Sequence, residues 1–534
     1  VSGLTGTWPL LRLALRVDRV RLPVWVGVIT LIVVVTASSF AGLYPDVASR
    51  QAFGAQIGTN PALLAVYGPL YAPETIGGLT VWRQGAIQLV LVGLLSLQAV
   101  VRHTRAAEET GRLELVASTV VGRRAPLAAG VLAAGVADVA VGIAVAAGMV
   151  AVGEPVVGSV AFGAALAATG LAFAGVAAAT AQLTDSARAA SGLAGGGLAV
   201  SFLLRAAGDA ATGQSAEWLA WTSPLGWALR IRAYAEERWW VLLLLVGLAV
   251  VGTGLGAVLQ ARRDLGDGIV PPRPGPARAP AGLSSPVGLA WRLQRSTLLW
   301  WAVAIAVAGG VFGGVADAVV ALFEDNPQLA DIVERIGGSS RVVDAFLGAI
   351  LAAFGVMVAA CAVGAVLRLR AEEAADRAEP VLAAPVARLP WAGSHLVLAV
   401  VAPGVLLAVA GGTAGLAAGL VTGAGAGEAG RFALAALAQL PAVWVVAGVA
   451  VLVVGAQPQR PALAYGALGA FALLALVGEA LGLDQVWLDL SPFTHVPALP
   501  GAAMDWTPML WLTVVAVGVG ALGLTALRRR DLAP

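Results

Sequence analysis

Apolar stretches of membrane length alternate with short, arginine-bearing polar segments along the whole chain. Runs such as Pro23–Tyr44 and Trp239–Gln260 exceed the ~20 apolar residues an α-helix needs to cross a bilayer. The pattern predicts spans at about 22–44, 84–103, 127–152, 157–182, 191–207 and 239–260, and again at about 298–321, 344–367, 394–421, 430–455, 461–482 and 508–527. The expected fold class is an all-α polytopic membrane protein of about 12 transmembrane helices, set out as two tandem six-helix halves. An even number of spans per half gives both halves the same orientation, so the repeat is parallel.

The polar positions carry a stronger signal. Arg105, Glu108, Arg112, Glu114, Val116, Val121 and Arg123 return as Arg370, Glu373, Arg377, Glu379, Val381, Val386 and Arg388, each 265 residues on and between equivalent spans. Leu13, Arg16, Arg19 and Trp25, ahead of and inside the first span, return as Leu289, Arg292, Arg295 and Trp301. Before each sixth span stands a Ser-Pro element, Ser223-Pro224 and Ser491-Pro492; after it comes Arg262-Arg263-Asp264-Leu265 or Arg529-Arg530-Asp531-Leu532. Echoes in the same order point to a duplicated membrane unit. The expected division is a first half over 1–265, a Pro-rich, extended, solvated linker over 266–288 around Pro271–Pro276, and a second half over 289–534.

Composition adds limits. The chain is 59% hydrophobic and 12% charged, with 67 glycines, which suits close helix approach in lipid and not a soluble domain. Every basic residue is arginine. A standard P-loop places a lysine on the nucleotide phosphates, so this chain holds none, and ATP hydrolysis is expected in another polypeptide. The single cysteine, Cys361, allows no internal disulfide, and His103, His395 and His495 lack metal-ligand spacing. The first span reads as a retained signal anchor. Most arginines fall on the side of the termini, linker and repeated motifs, which is therefore the expected cytoplasmic side of the cell membrane. Nucleic acid is not an expected partner, because the arginines track a membrane face and form no basic groove. The loops at 45–83 and 208–238, the second rich in tryptophan, are expected to hold short helices at the opposite interface; 323–343 is the shorter partner of the first.

Within the repeated motif, Glu108 and Arg112, like Glu373 and Arg377, have the spacing and order of a stabilising helix pair. Such a pair contributes only about 0.3–0.5 kcal/mol, a weak reason for the pattern. A docking helix for a soluble partner, with apolar contacts from Leu113, Leu115 and Val116, explains it better. Pro380 and Pro385 have no counterparts in the first copy, so a helix through the second is expected to break or kink near them.

With these motifs in view, the chain resembles the membrane permeases of ABC-type exporters of the antibiotic and polyketide efflux class, similar to the tetronasin exporters of actinobacteria. The resemblance covers nearly the whole chain and rests on six spans per half, the Glu-x3-Arg-x-Glu segment between spans two and three, and the Ser-Pro element before span six. It implies that the basic segments before spans one and seven are elbow helices. It implies that Arg105, Glu108, Arg112, Glu114 and Arg123, with Arg370, Glu373, Arg377, Glu379 and Arg388, form two coupling helices seated on two copies of a separate ABC ATPase. ATP and Mg would bind that partner and no cofactor would bind this chain. The substrate would be a small hydrophobic or amphipathic compound, antibiotic-like or lipid.

Phe40, Phe173, Phe202, Phe354, Trp444 and Phe471 lie in spans and are candidates to line an apolar cavity. Asp138 is the one clear mid-span carboxylate, whereas Asp317, Arg205 and Glu479 lie nearer span ends. An ionisable group inside a span is costly and usually functional. Asp138 therefore carries the alternative reading, a proton-coupled secondary drug transporter.

Overall fold

The computed structural model describes residues 2–58, 61–213, 215–271, 277–316, 320, 339–477 and 484–530. Among these, every regular element is helical. The chain divides into two compact units, Val1–Gly275 and Pro276–Pro534. Among the described residues, eleven helices are long and apolar enough to cross a membrane. A shorter apolar helix, Ala462–Val477, stands where a further span is expected, and residues 478–482 of that span lie outside the described residues. The protein is an all-α, multi-pass membrane protein.

In the first unit, α1 (Thr7–Val17) precedes the spans α2 (Arg21–Leu43), α5 (Ile76–His103), α8 (Ala125–Ala151), α9 (Val156–Leu183), α10 (Ala187–Ala210) and α12 (Leu242–Ala261). The connections hold α3 (Val47–Ile57), α4 (Pro61–Tyr67), α6 (Arg105–Glu109), α7 (Arg112–Ala117) and α11 (Pro224–Leu229), so both long loops on the side opposite the repeated motif contain short helices. Helix α9 is the hub, in contact with α5, α8 and α12. Lipid gives helices no hydrophobic reason to associate, so close backbone approach must supply the attraction. At Gly142 and Gly163 the backbones of α8 and α9 meet so closely that a Cβ on Gly163 would lie 2.3 Å from the Gly142 carbonyl oxygen.

The second unit runs α13 (Pro286–Gly314), α14 (Ser339–Ala374), α15 (Ala378–Leu382), α16 (Arg388–Val421), α17 (Glu428–Leu437), α18 (Leu440–Ala456), α19 (Ala462–Val477), α20 (Gln485–Leu488) and α21 (Trp506–Arg529). Helices α18 and α21 repeat the pairing of α9 with α12; a Cβ on Gly523 would stand 2.6 Å from backbone atoms of α18. Pro403 lies inside α16, where it cannot donate a ladder hydrogen bond and crowds the preceding turn. Trp444 Nε1 of α18 donates to the Val400 carbonyl of α16 at 3.1 Å, a lateral bond between the two helices.

Two expectations need correction. The elbow before span one is a separate amphipathic helix, α1, which sets Leu11 and Ala14 against Ala129 and Ala133 of α8. No separate elbow precedes span seven: Leu289, Arg292 and Arg295 belong to the 29-residue helix α13, which continues as the span. Pro23 in the first turn of α2 interrupts the backbone ladder, and its counterpart 276 residues on is Leu299, which does not. Nor is the linker wholly extended and solvated. Ile269 and Val270 donate to the Gln182 and Leu183 carbonyls at 3.1 and 2.9 Å, satisfying acceptors at the end of α9, and 281–283 form one 3-10 turn. Residues 272–276 of the Pro-rich stretch, the 323–338 part of the loop at 323–343, Asp317, Glu479 and the Asp531-Leu532 pair lie outside the described residues.

Candidate functional site

The repeated motif folds into the same object in both units, and it is not one continuous helix. Helix α6 ends at Glu109, and α7 begins after Gly111, whose φ of 70° is the left-handed conformation that glycine adopts freely. In the second copy Asp376, 265 residues on, also takes a left-handed φ of 53°. The expected break at Pro380 and Pro385 is therefore misplaced. Pro380 sits in the first turn of α15, where a missing N–H costs nothing, and Pro385 follows that helix. The break comes earlier, at the same register in both copies.

That break redirects the charges. Glu108 pairs with Arg105 (2.7 Å) and with Arg263 beyond α12 (2.7 and 2.9 Å), and does not pair with Arg112. Arg105 also donates to the carbonyls of Ala181 (2.9 Å) and Asp267 (3.0 Å), and Arg263 to Gln182 Oε1 (2.8 Å). Arg123 closes the ring onto the Arg263 carbonyl. The carboxylate is thus held by two guanidiniums, and all three side chains are buried.

The second unit builds the same ring. Glu373 pairs with Arg370 (3.5 Å) and accepts from Arg530 at 2.8 and 2.7 Å. Arg370 donates to the Pro458 carbonyl at 3.0 Å, and Arg388 donates to the Arg530 carbonyl at 2.9 Å. Arg377 turns to Glu372 at 3.0 Å and not to Glu373. We call each arrangement a clamp. It fastens the segment after the unit's second span to the residue that closes its sixth.

The ten expected contact residues therefore separate by role. Arg105, Glu108 and Glu373 are buried in the clamps, Arg370 is half-buried there, and Arg123 and Arg388 hold backbone. Arg112 and Glu114 in the first unit and Arg377 and Glu379 in the second are exposed. Of the expected apolar contacts, Leu115 is 75% exposed, whereas Leu113 is buried. Beside the first clamp lies a pocket of about 340 Å³, lined by Leu113, Val116, Arg123, Arg263 and Leu265. Pair spacing alone misses the partners Arg263 and Arg530, but the repeated Arg-Arg-Asp-Leu tetrapeptide marks both.

The Ser-Pro elements are structural in both units. Ser223 Oγ caps α11 by accepting from Gly226 N at 3.2 Å and donates to the Ser201 carbonyl of the fifth span at 2.6 Å. Ser491 Oγ donates to the Phe471 carbonyl at 2.9 Å. Near them, Asp209 sits buried between Arg205 (3.4 Å) and Arg230 (3.0 Å), and Arg205 also donates to the Ala65 carbonyl at 2.8 Å, holding α4 to α10. Arg205 is thus a tie between loops and bundle.

The substrate candidates take different settings within their own units. Phe173 and Phe354 are buried in helix packing, the first against Gly93 and the second edge-on to Phe312. Phe40 joins a cluster with Tyr44 and Phe53, Phe202 lies under the Arg205 guanidinium, and Phe471 serves the Ser491 bond. Trp444 does line a groove. Asp138 is enclosed: Ser96 Oγ donates to it at 2.5 Å, and its carboxyl rests on Gly170 of α9.

Membrane-spanning bundles, each locking its second-to-third-span segment onto its last span, define a polytopic membrane protein. Residues 283–528 match the family model described as the C-terminal domain of the multidrug efflux system permease Rv1217c. The chain is 43% identical over 532 residues to the multidrug efflux system permease protein Rv1217c of Mycobacterium tuberculosis, an alignment that covers 99% of this chain and 96% of that protein. This chain belongs to that family of multidrug efflux permeases.

Proposed function

We propose that the chain is the membrane subunit of an ATP-driven ABC exporter, carrying a hydrophobic or amphipathic compound out of the cell with energy from two copies of a separate ATPase. The motif side, with both termini, faces the cytoplasm, and ATP and Mg bind the partner. Within the efflux permeases, this is the plan of the antibiotic exporters of tetronasin type. One observation carries the reading: the same Arg-Glu-Arg clamp occurs twice, each time joining an exposed charged segment to the end of a sixth span.

A segment that merely connected two spans would need no buried ion triad. Burying two guanidiniums and a carboxylate is expensive unless every group is paired, so the clamp is a costly way to stiffen a loop. Stiffness is useful where force enters. The exposed Arg112, Glu114 and Leu115, and Arg377 and Glu379 in the second copy, form the contact face, while the clamp passes its displacement to the span ends. Nucleotide must favour one permease conformation over another for this to drive transport. The alternative, a proton-coupled secondary drug transporter, would rest on Asp138, whose carboxyl accepts from Ser96 and meets Gly170 inside the first unit.

The test is reconstitution with the partner ATPase. Combined reversal of Arg112, Glu114 and Glu379 (R112E, E114R, E379R) is expected to reduce stimulated ATP hydrolysis at least about tenfold while leaving the unfolding midpoint of the permease unchanged, as for exposed charges. Full stimulation in this variant would remove the docking role.

A further inference from the structure

On the clamp side of the second unit, an open groove of about 610 Å³ runs between α13 and α16. Its floor is apolar and buried, formed by Leu298, Leu398 and Leu406. Its rim is apolar and exposed, with Leu299, Val401 and Val405. Both helices are spans, so an exposed rim of this kind meets the hydrocarbon of the bilayer. The body of the groove is thus a slot for an apolar chain.

One end is polar. Trp291, Arg295 and Ser296 line it, on the turns of α13 that precede Leu298. Arg295 is the last charged residue before an uncharged run that continues to Ala316, which places its guanidinium at the headgroup level, where tryptophan is also favoured. Arg295 is exposed and makes no hydrogen bond or ion pair among the described residues. The adjacent Gln294 is buried and donates to His395 Nδ1 of α16 at 3.2 Å, so the two helices are tied together at the depth of that cation.

No acid competes for it. Neither α13 nor α16 contains an aspartate or a glutamate. The acids at this end of α14, Glu372 and Glu373, are committed to Arg368 and Arg377 and to Arg370 and Arg530. The first unit differs at this register. There the repeat sets Asp18 against Gln294 and Arg19 against Arg295, and the buried Asp18 carboxylate pairs with Arg102 and His103. Arg19 therefore follows an acid in the chain, and Arg295 follows a neutral amide.

We propose that this groove binds an anionic phospholipid, with its phosphate on Arg295 and Ser296 and one acyl chain along the floor from Leu298 to Leu406. A guanidinium offers a planar pair of donors to phosphate oxygens, and basic pockets between spans suit acidic headgroups. A zwitterionic lipid brings a cation of its own to the same place and gains less. The proposal adds a ligand and its site to the permease and is independent of the docking role.

The test is native mass spectrometry of the purified full chain without ATPase, titrated with palmitoyl-oleoyl phosphatidylglycerol or with the phosphatidylcholine of the same chains. The tightest-bound phosphatidylglycerol is expected to hold about fivefold more strongly than phosphatidylcholine, the scale of one arginine near an anionic headgroup. Arg295→Gln should bring the two lipids within about twofold, whereas Arg19→Gln should leave the preference unchanged. Ala302→Phe and Ala402→Phe, which narrow the slot from different helices, should each weaken phosphatidylglycerol at least about fivefold. Monodispersity and an unchanged unfolding midpoint qualify these filling variants, and the charge pair decides without them. Glycerol phosphate, a headgroup without chains, should not displace the lipid. Equal binding of the two lipids, a preference that survives Arg295→Gln, or displacement by glycerol phosphate would overturn the proposal. Because no ATPase is present, such a failure leaves the docking role standing, and loss of docking would leave this binding intact.

Discussion

The two units solve one problem identically and another differently. Both bend the repeated segment at a left-handed residue, Gly111 or Asp376, and both fold it back onto the arginine that follows the sixth span. They part at the entrance to the first span and at the end opposite the clamps. At the clamps the two copies share the Arg-Glu-Arg pairing, and the second is the more exposed. At the start of its first span the first unit has Pro23 where the second has Leu299, and in the loop before its sixth span it bonds Tyr234 to Ser159, whereas residues 496–505 of the second hold no tyrosine.

The sharpest way to break that comparison is to remove the carboxylate at each centre. Glu108→Ala leaves Arg105, fully buried, and Arg263, 4% exposed at its side chain, without their anion, so a loss of about 3–5 kcal/mol is expected in denaturation of the detergent-solubilised chain. Glu373→Ala leaves Arg370 and Arg530, 14% and 13% exposed, and water relieves part of the penalty; about 1.5–3 kcal/mol is expected. A second-unit loss larger than the first would contradict the role given to burial.

The entrance difference gives a comparable effect with an internal control. Leu299→Pro puts proline inside α13, with an expected cost of about 3 kcal/mol. Pro23→Ala, in the first turn of α2, should change stability by less than about 1 kcal/mol. Similar costs at the two sites, from the same denaturation curves, would mean that the helix break in the first unit has another cause.

Helix approach yields a smaller contrast. Gly523→Ala drives a methyl into the backbone of α18 and should cost about 1–3 kcal/mol. Gly518→Ala, five residues earlier on the same helix and with nothing within 4 Å, should be neutral or gain up to about 1 kcal/mol. Equal thermal shifts in the two variants would remove close backbone contact as the source of the α18–α21 pairing.

The smallest effect belongs to Tyr234. Tyr234→Phe forfeits one hydrogen bond to Ser159, about 1 kcal/mol. Burial pushes the Tyr234 phenol above its ordinary range, so the folded state keeps its proton where the unfolded chain has lost it. Stability from this group therefore falls as pH rises through the ordinary tyrosine range near 10. Phenylalanine at 234 should flatten that part of the stability–pH curve, and a curve unchanged by it would place the titration elsewhere.

The membrane class and nearly all the spans were legible in the sequence, because uninterrupted apolar runs leave the chain few alternatives. The recurring charged motif was legible too, since charges are scarce enough for their spacing to stand out. What sequence could not assign was the partner of each charge. Helical spacing offered Arg112 to Glu108, but the turn at Gly111 carries Arg112 to another face, and the true partner Arg263 lies 155 residues away. Proline drew attention to 380 and 385, yet the backbone turns at Asp376, a type of residue tolerated in the left-handed region only when its surroundings hold it there. Span aromatics are interchangeable as sequence letters; Phe173 is packing and Trp444 borders a groove only because of neighbours far along the chain.

The central claim is that each exposed segment and the end of its sixth span move as one body. Spin labels on the exposed Leu115 and Val258, in a Cys361→Ala background, read that distance directly by double electron–electron resonance in the assembled complex. The account predicts a narrow distribution that stays put when nucleotide is added and broadens in Glu108→Gln. A distance that shifts with nucleotide in the intact clamp, or one that Glu108→Gln leaves as narrow as before, would contradict it.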